Sequence, residues 1–202
     1  MTIRVLLADD EKLILGAFSV LLSAEEDLEV VGEAAGGERA VELARELVPD
    51  VCVLDLRMPD RGGISVIREV RRSHPSIRCV LVTSHTAPGY LASALAAGAH
   101  GFVPKTVPAR ELAAVVRSVH AGGRHVDPEV AAVAISAGAS PLTRREADVL
   151  ALSADGAPIS TVAKRAVLTP GTVRNYLSRI AGKLHAANRH EAAHVARKQG
   201  WI

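Results

Sequence analysis

Five short apolar runs, each followed by a segment of helical length, constrain the fold of residues 1–121 more than any other feature. The runs are "IRVLLA" (3–8), "LEVVGE" (28–33), "DVCVLDL" (50–56), "RCVLVTS" (78–84) and "GFVP" (101–104). Helical patterns follow near 11–23, 37–47, 64–72, 87–97 and 108–121. Strands that are apolar along nearly their whole length are buried on both faces, as in a parallel sheet covered by helices. The expectation is a doubly wound α/β domain of the flavodoxin-like (βα)5 type with right-handed crossovers.

Ligands of such folds sit outside the carboxyl ends of the strands. Asp9 and Asp10 follow the first run, Asp55 stands near the end of the third, Thr83 near the end of the fourth, and Lys105 just after the fifth. Three clustered carboxylates repel one another and call for a cation, and a hard divalent ion such as Mg2+ suits an all-oxygen set. A hydroxyl and an ammonium opposite that ion would hold phosphoryl oxygens. Singly, Asp10 reads equally well as a helix cap and Lys105 as a surface lysine. Together on one edge, the five predict a cleft that accepts a phosphoryl group on a carboxylate.

The chain changes character after His120. Residues 1–120 hold 16 acidic and 13 basic residues, a net −3, whereas 121–202 hold 6 and 11, a net +5. Residues 122–140 are rich in Gly, Ala and Ser and read as a linker with one short helix, Asp127 as its cap and Pro128 in its first position. From Pro141 onward only helical patterns remain, so 141–202 is expected to be a small all-α, four-helix domain. Its basic balance favours an anionic partner such as nucleic acid. "TIRVLLADD" does not resemble a secretory signal, and no apolar run approaches the roughly 20 residues of a membrane helix. Cys52 and Cys79, both in apolar runs, read as small core residues of a reducing compartment, and the expected location is the cytoplasm.

"LLADDE", "VLDLRMPDRGG", "VLVTS" and "GAHGFVPK" resemble the receiver domain of bacterial two-component response regulators over residues 3–121. The resemblance implies that Asp55 is the phosphoacceptor, that Asp9 and Asp10 position Mg2+, and that the main-chain carbonyl of Arg57 completes the protein's metal ligands. It further implies that Thr83 and Lys105 hold the phosphoryl oxygens, that Phe102 is an aromatic switch residue, and that the bond at Pro104 is cis. Arg57 and His85 resemble positions that tune dephosphorylation. Gly62 departs from the pattern, since many receivers carry Asp there. A receiver's only chemistry is its own phosphoryl transfer and dephosphorylation, so an enzyme acting on other substrates is not expected.

In the second unit, "PLTRREADVLAL" starts with Thr143 as cap and Glu146 three residues on, a capping box. A helix near 159–166 leads by a tight turn to "TPGTVRNYLSRIAGKL", where Val173, Leu177, Ile180 and Leu184 form one apolar stripe. Arg174, Asn175, Ser178 and Arg179 are left on the other faces. That pattern fits a helix-turn-helix and, from its charges alone, equally a solvated helix. The whole segment resembles the DNA-binding domain of LuxR- and NarL-type (FixJ) regulators. This implies that Thr172, Arg174, Asn175 and Ser178 face DNA, with Lys183 on its backbone. "GTVRNYLS" with "KQGWI" resembles the DesR-type subgroup, which controls membrane-lipid genes.

One motif points elsewhere. His190-Glu191-Ala192-Ala193-His194 fits the H-E-x-x-H pattern of zinc proteases. The third ligand those enzymes need is missing from the remaining "VARKQGWI". Glu191 instead stands third after Asn188, the spacing of another capping box. The resulting expectation is a transcription factor switched by phosphorylation. Its partners would be a sensor histidine kinase, double-stranded operator DNA and, once phosphorylated, a second copy of itself. The rivals are a phosphorylation-independent DNA-binding protein and the zinc hydrolase.

Overall fold

The computed structural model describes residues 2–137 and 140–202, so residues 138–139 of the expected linker lie outside the described residues. Contacts divide the chain into two compact units. One comprises the chain up to Thr86 with Leu91–Ala132, and the other comprises Ala87–Tyr90 with Val133–Ile202.

From its start to Ala137 the chain runs β1 (Ile3–Ala8), α1 (Lys12–Ser23), β2 (Leu28–Ala34), α2 (Gly37–Leu47), β3 (Val51–Asp55) and α3 (Gly63–Ser73). It continues with β4 (Arg78–Thr83), α4 (Pro88–Ala97), β5 (Gly101–Pro104), α5 (Ala109–His120), β6 (His125–Val126) and α6 (Pro128–Ala137). All strand pairs are parallel, in the order β2-β1-β3-β4-β5-β6. Alternation along each strand sends Val5, Leu7, Val53, Val80, Val82 and Val103 to the face covered by α1 and α5. The intervening residues Leu6, Cys52, Leu54, Cys79 and Leu81 are equally buried and face the opposite layer of helices. Both cysteines are free thiols within the core.

This is the doubly wound parallel sheet expected, with two corrections. The sheet has six strands, because His125 and Val126, assigned from the sequence to the linker, pair with Gly101 and Phe102. Two residues are too few to produce a readable alternation. Among the described residues no peptide bond is cis, so the bond at Pro104 is trans and not cis as the resemblance implied. Pro104 is the last residue of β5 and registers with Thr83, and a trans bond preserves the extended spacing that this pairing needs.

The second unit packs α7 (Arg144–Ser153), α8 (Ile159–Ala166), α9 (Pro170–Lys183) and α10 (Arg189–Lys198) around one apolar core. The Thr143–Glu146 capping box starts α7, and Thr169 caps α9 ahead of Pro170. Val173, Leu177, Ile180 and Leu184 are all buried, which fixes the face that α9 turns inward. At α10, Asn188 Oδ1 accepts from the amides of His190 and Glu191, but Glu191 reaches Ala187 N at 2.7 Å rather than the amide of Asn188. The Glu of the H-E-x-x-H match is therefore engaged in holding the helix start. No helix among the described residues is long and apolar enough to cross a membrane.

Candidate functional site

Strand register assembles the first site. Ala8 pairs with Leu54, so Asp9 and Asp55 emerge side by side where β1 and β3 end. Asp55 pairs with Val82, and Thr83 pairs with Pro104, which brings Lys105 to the same edge. The Lys105 amide donates to the Thr83 carbonyl at 2.9 Å and extends that ladder by one bond. The five residues expected at the strand ends thus share one edge. They open into a cleft of ≈ 200 Å³ lined by Asp10, Glu11, Asp55, Arg57, Thr83 and Lys105, with Ser84 and His85 beside them.

Lys105 Nζ lies 2.8 Å from Asp9 Oδ2, 2.7 Å from Glu11 Oε1 and 3.3 Å from Asp55 Oδ1. Burial opposes the ammonium's charge, yet hydrogen bonds to Asp9 and Glu11 and the attraction of Asp55 raise its pKa. Asp55 accepts the Arg57 amide at 2.8 Å on Oδ2. Burial pushes its carboxyl above the usual range and nearby Asp9 adds to this, while the Arg57 amide and Lys105 pull the other way. Thr83 is fully buried, and its hydroxyl oxygen accepts the His85 amide at 3.0 Å. Phe102, opposite Leu81 in the ladder, is also fully buried.

Asp9, Asp10 and Asp55 each offer a carboxylate oxygen within 4.8 Å of the others. Octahedral Mg2+ with bonds of about 2.1 Å separates its ligands by roughly 3 to 4 Å, so this donor set fits a hard divalent cation. Glu11 and Ser84 belong to the cleft and were not singled out from the sequence. Glu11 directly follows the acid pair, but a carboxylate at a helix start reads first as a favourable charge for the helix dipole.

The second site is the outer surface of α9. Arg174, Asn175, Ser178 and Arg179 are exposed, and Thr172 is half-buried with its amide donating to Thr169 Oγ1 at 3.1 Å. Thr172, Asn175 and Arg179 line a shallow groove of ≈ 220 Å³ together with Tyr176, a residue the apolar stripe did not bring out. Lys183 sits at the far end of α9, with Nζ 2.7 Å from Glu146 Oε2. The Lys183 ammonium is the main cause that holds the Glu146 carboxyl below its usual range, with the Thr143 amide and hydroxyl assisting against burial.

Comparison with known proteins assigns each unit to a family. Residues 5–117 match the family described as "Response regulator receiver domain", and residues 140–196 match "Bacterial regulatory proteins, luxR family". The chain is 39% identical to the transcriptional regulatory protein YvfU of Bacillus subtilis, over 99% of this chain and all of that one. It is 38% identical to the transcriptional regulatory protein DesR of the same organism, over 99% of each. Among solved structures, a LuxR-family two-component response regulator from Aurantimonas sp. SI85-9A1 superposes with a TM-score of 0.64 at 31% identity. That match covers 68% of this chain and 98% of the other.

Proposed function

We propose that this chain, which belongs to the response regulators joining a receiver domain to a LuxR-family DNA-binding domain, is switched by Mg2+-dependent phosphorylation of Asp55 and then binds operator DNA as a homodimer. The division of labour is a receiver whose sheet extends through Val126, a linking segment after it that carries α6, and a DNA-binding domain over 141–202. The convergence of Asp9, Asp10, Asp55, Thr83 and Lys105 in one cleft is the observation that carries the proposal.

In this mechanism a carboxylate oxygen of Asp55 attacks the phosphorus of a phosphohistidine on a sensor kinase. The P–O bond forms as the P–N bond breaks, and the histidine leaves as neutral imidazole after taking up a proton. Asp9, Asp10, Asp55 and the Arg57 carbonyl would hold Mg2+, which supplies charge neutralisation for the phosphoryl oxygens when bound. Lys105 is already poised 3.3 Å from Asp55 and contributes a second positive charge. Thr83 hydrogen-bonds a phosphoryl oxygen, and its displacement changes the packing around β4 and β5, where Phe102 serves as the switch residue.

On the receiver, α1 presents Leu13, Ala17, Val20 and Leu21 to solvent along one helical stripe, with Leu13 84% exposed. An uncovered apolar stripe of this kind supports a protein partner. In the second unit, Arg174 and Asn175 are suited to base edges, and Thr172 and Ser178 to base or phosphate contacts. Lys183 is oriented by Glu146 and keeps its remaining N–H donors for the DNA backbone. Two such units in a dimer bind paired half-sites with avidity. The protein acts in the cytoplasm, and its receiver transfers phosphoryl groups only to and from itself.

The test is the oligomeric mass of the full chain with Mg2+, with and without beryllofluoride, beside Asp55→Asn. A monomer-to-dimer shift requiring both the phosphoryl mimic and Asp55 supports the switch. An unchanged mass, with no ligand bound at Asp55, leaves a constitutive DNA-binding protein in its place.

A further inference from the structure

Helix α2 begins without a cap of its own. Its N-cap is Gly36, which has no side chain to accept the first amides. A carboxylate from a different segment does so instead. Asp60, in the loop joining β3 to α3, accepts the Gly37 amide on Oδ1 at 2.8 Å and the Glu38 amide on Oδ2 at 2.9 Å. Oδ1 also accepts the Arg61 amide at 2.7 Å, so both oxygens are committed.

The same loop is clamped by backbone contact. A Cβ on Gly37 would lie 1.9 Å from the Arg61 carbonyl oxygen, and one on Gly63 would lie 2.1 Å from that of Asp55. The Gly63 amide closes the loop by donating to the Leu56 carbonyl at 3.0 Å, and Met58 is buried within it. The loop between Asp55 and Gly63 is thereby tied at one end to β3 and at the other to the N-terminus of α2. Arg57, the residue whose carbonyl is the proposed metal ligand, lies inside this tied segment.

We propose that Asp60 is a positioning residue for the phosphorylation cleft: by bonding the β3–α3 loop to the α2 N-terminus, it fixes the Arg57 peptide where a divalent cation needs it. This rests on the reading of the cleft as an Mg2+ site. The loop pays for cation binding in advance, because its backbone is ordered before the ion arrives. In Asp60→Asn, one oxygen becomes an amide nitrogen, so at most one of the α2 amides keeps its acceptor and the other faces a donor. The loop loosens while the five cleft side chains stay in place.

The experiment is a Mg2+ titration of the full chain, wild type and Asp60→Asn, followed by the rise in melting temperature, with hydrogen exchange at Gly37, Glu38 and Arg61 measured without Mg2+. Residues that support metal ligands from behind typically cost about 10- to 100-fold in affinity when changed. The expected result is a midpoint shifted at least about 10-fold to higher Mg2+, together with faster exchange at those amides. Should Asp60→Asn lower the melting temperature yet leave the Mg2+ midpoint unchanged, Asp60 is only a helix cap and the inference is overturned. A wild-type chain that does not respond to Mg2+ overturns the metal reading itself, and this inference with it.

Discussion

Lys183, in the last turn of α9, reaches the buried carboxylate of Glu146 in the first turn of α7, with Nζ 2.7 Å from Oε2. The same oxygen accepts the amide and the hydroxyl of Thr143, at 2.7 and 2.9 Å. One carboxylate thus caps α7 and anchors the end of α9.

Removing Lys183 strands a charge that is otherwise buried. Lys183→Met is expected to lower the stability of the helical domain by about 1.5–3 kcal/mol, the range for hydrogen bonds to charged groups, with the lower end favoured by the lysine's partial exposure. Urea denaturation followed by helical circular dichroism measures it. On an operator selected from random DNA, the same variant should reduce the salt dependence of binding by about one counterion if Lys183 also meets a phosphate.

The receiver should lose stability as the pH falls through the range in which an exposed histidine titrates. His100 is buried, accepts the Cys79 amide on Nδ1 at 3.2 Å, and has Arg78 Nη1 3.0 Å from Nε2. Burial, with the charges of Arg71, Arg78 and Arg124, brings its pKa down to about 4. The unfolded chain, with an ordinary histidine near 6.5, then binds more protons than the folded one between those values. This contribution is therefore complete above pH 6.5, declines as pH falls below it, and levels off near 4. His100→Gln should flatten that part of the stability–pH curve measured by denaturation, whereas an unchanged curve would place the titration elsewhere.

Gly63→Ala tests the close approach at the cleft. The added Cβ would meet the Asp55 carbonyl oxygen at 2.1 Å, and that neighbour is backbone, which cannot rotate away. A loss of about 1–3 kcal/mol or more is expected from the forced shift, together with a reduced rate of labelling by a small phosphodonor. Calorimetry and acyl-phosphate labelling read the two effects separately.

Val167 ends α8 in the left-handed conformation, at φ 54, and is 88% exposed. That conformation costs a β-branched residue about 1–2 kcal/mol, and no burial compensates for it. Val167→Asn should raise the stability of the helical domain by about 0.5–1 kcal/mol, and Val167→Gly by less because glycine loses more entropy on folding. Chemical denaturation of the two variants would show the order.

The sheet was legible because β1, β3 and β4 are buried on both faces and leave continuous apolar runs, and the cleft was legible because its residues stand at strand ends. What escaped notice depends on partners far apart in sequence. Asp60 reads as an ordinary turn residue until its carboxylate is found on amides 22 and 23 positions away. Lys183 reads as a free cation until Glu146, 37 positions earlier, is found beneath it. Strand β6 is two residues long and takes its identity from hydrogen bonds to β5 rather than from any pattern of its own. Glu11 escaped because one position serves two purposes, a helix start and a partner for Lys105.

Arg117 on α5 forks onto the segment between α1 and β2, with Nε and Nη2 at 2.8 and 2.6 Å from the two oxygens of Asp27 and Nη2 at 2.5 Å from Glu25. Ninety residues of chain separate Arg117 from Asp27. On the ribosome, the first helix therefore emerges long before the helix that covers its inner face. The nascent receiver closes late, when nearly all of it has been synthesised, and until then its apolar inner surface has no cover.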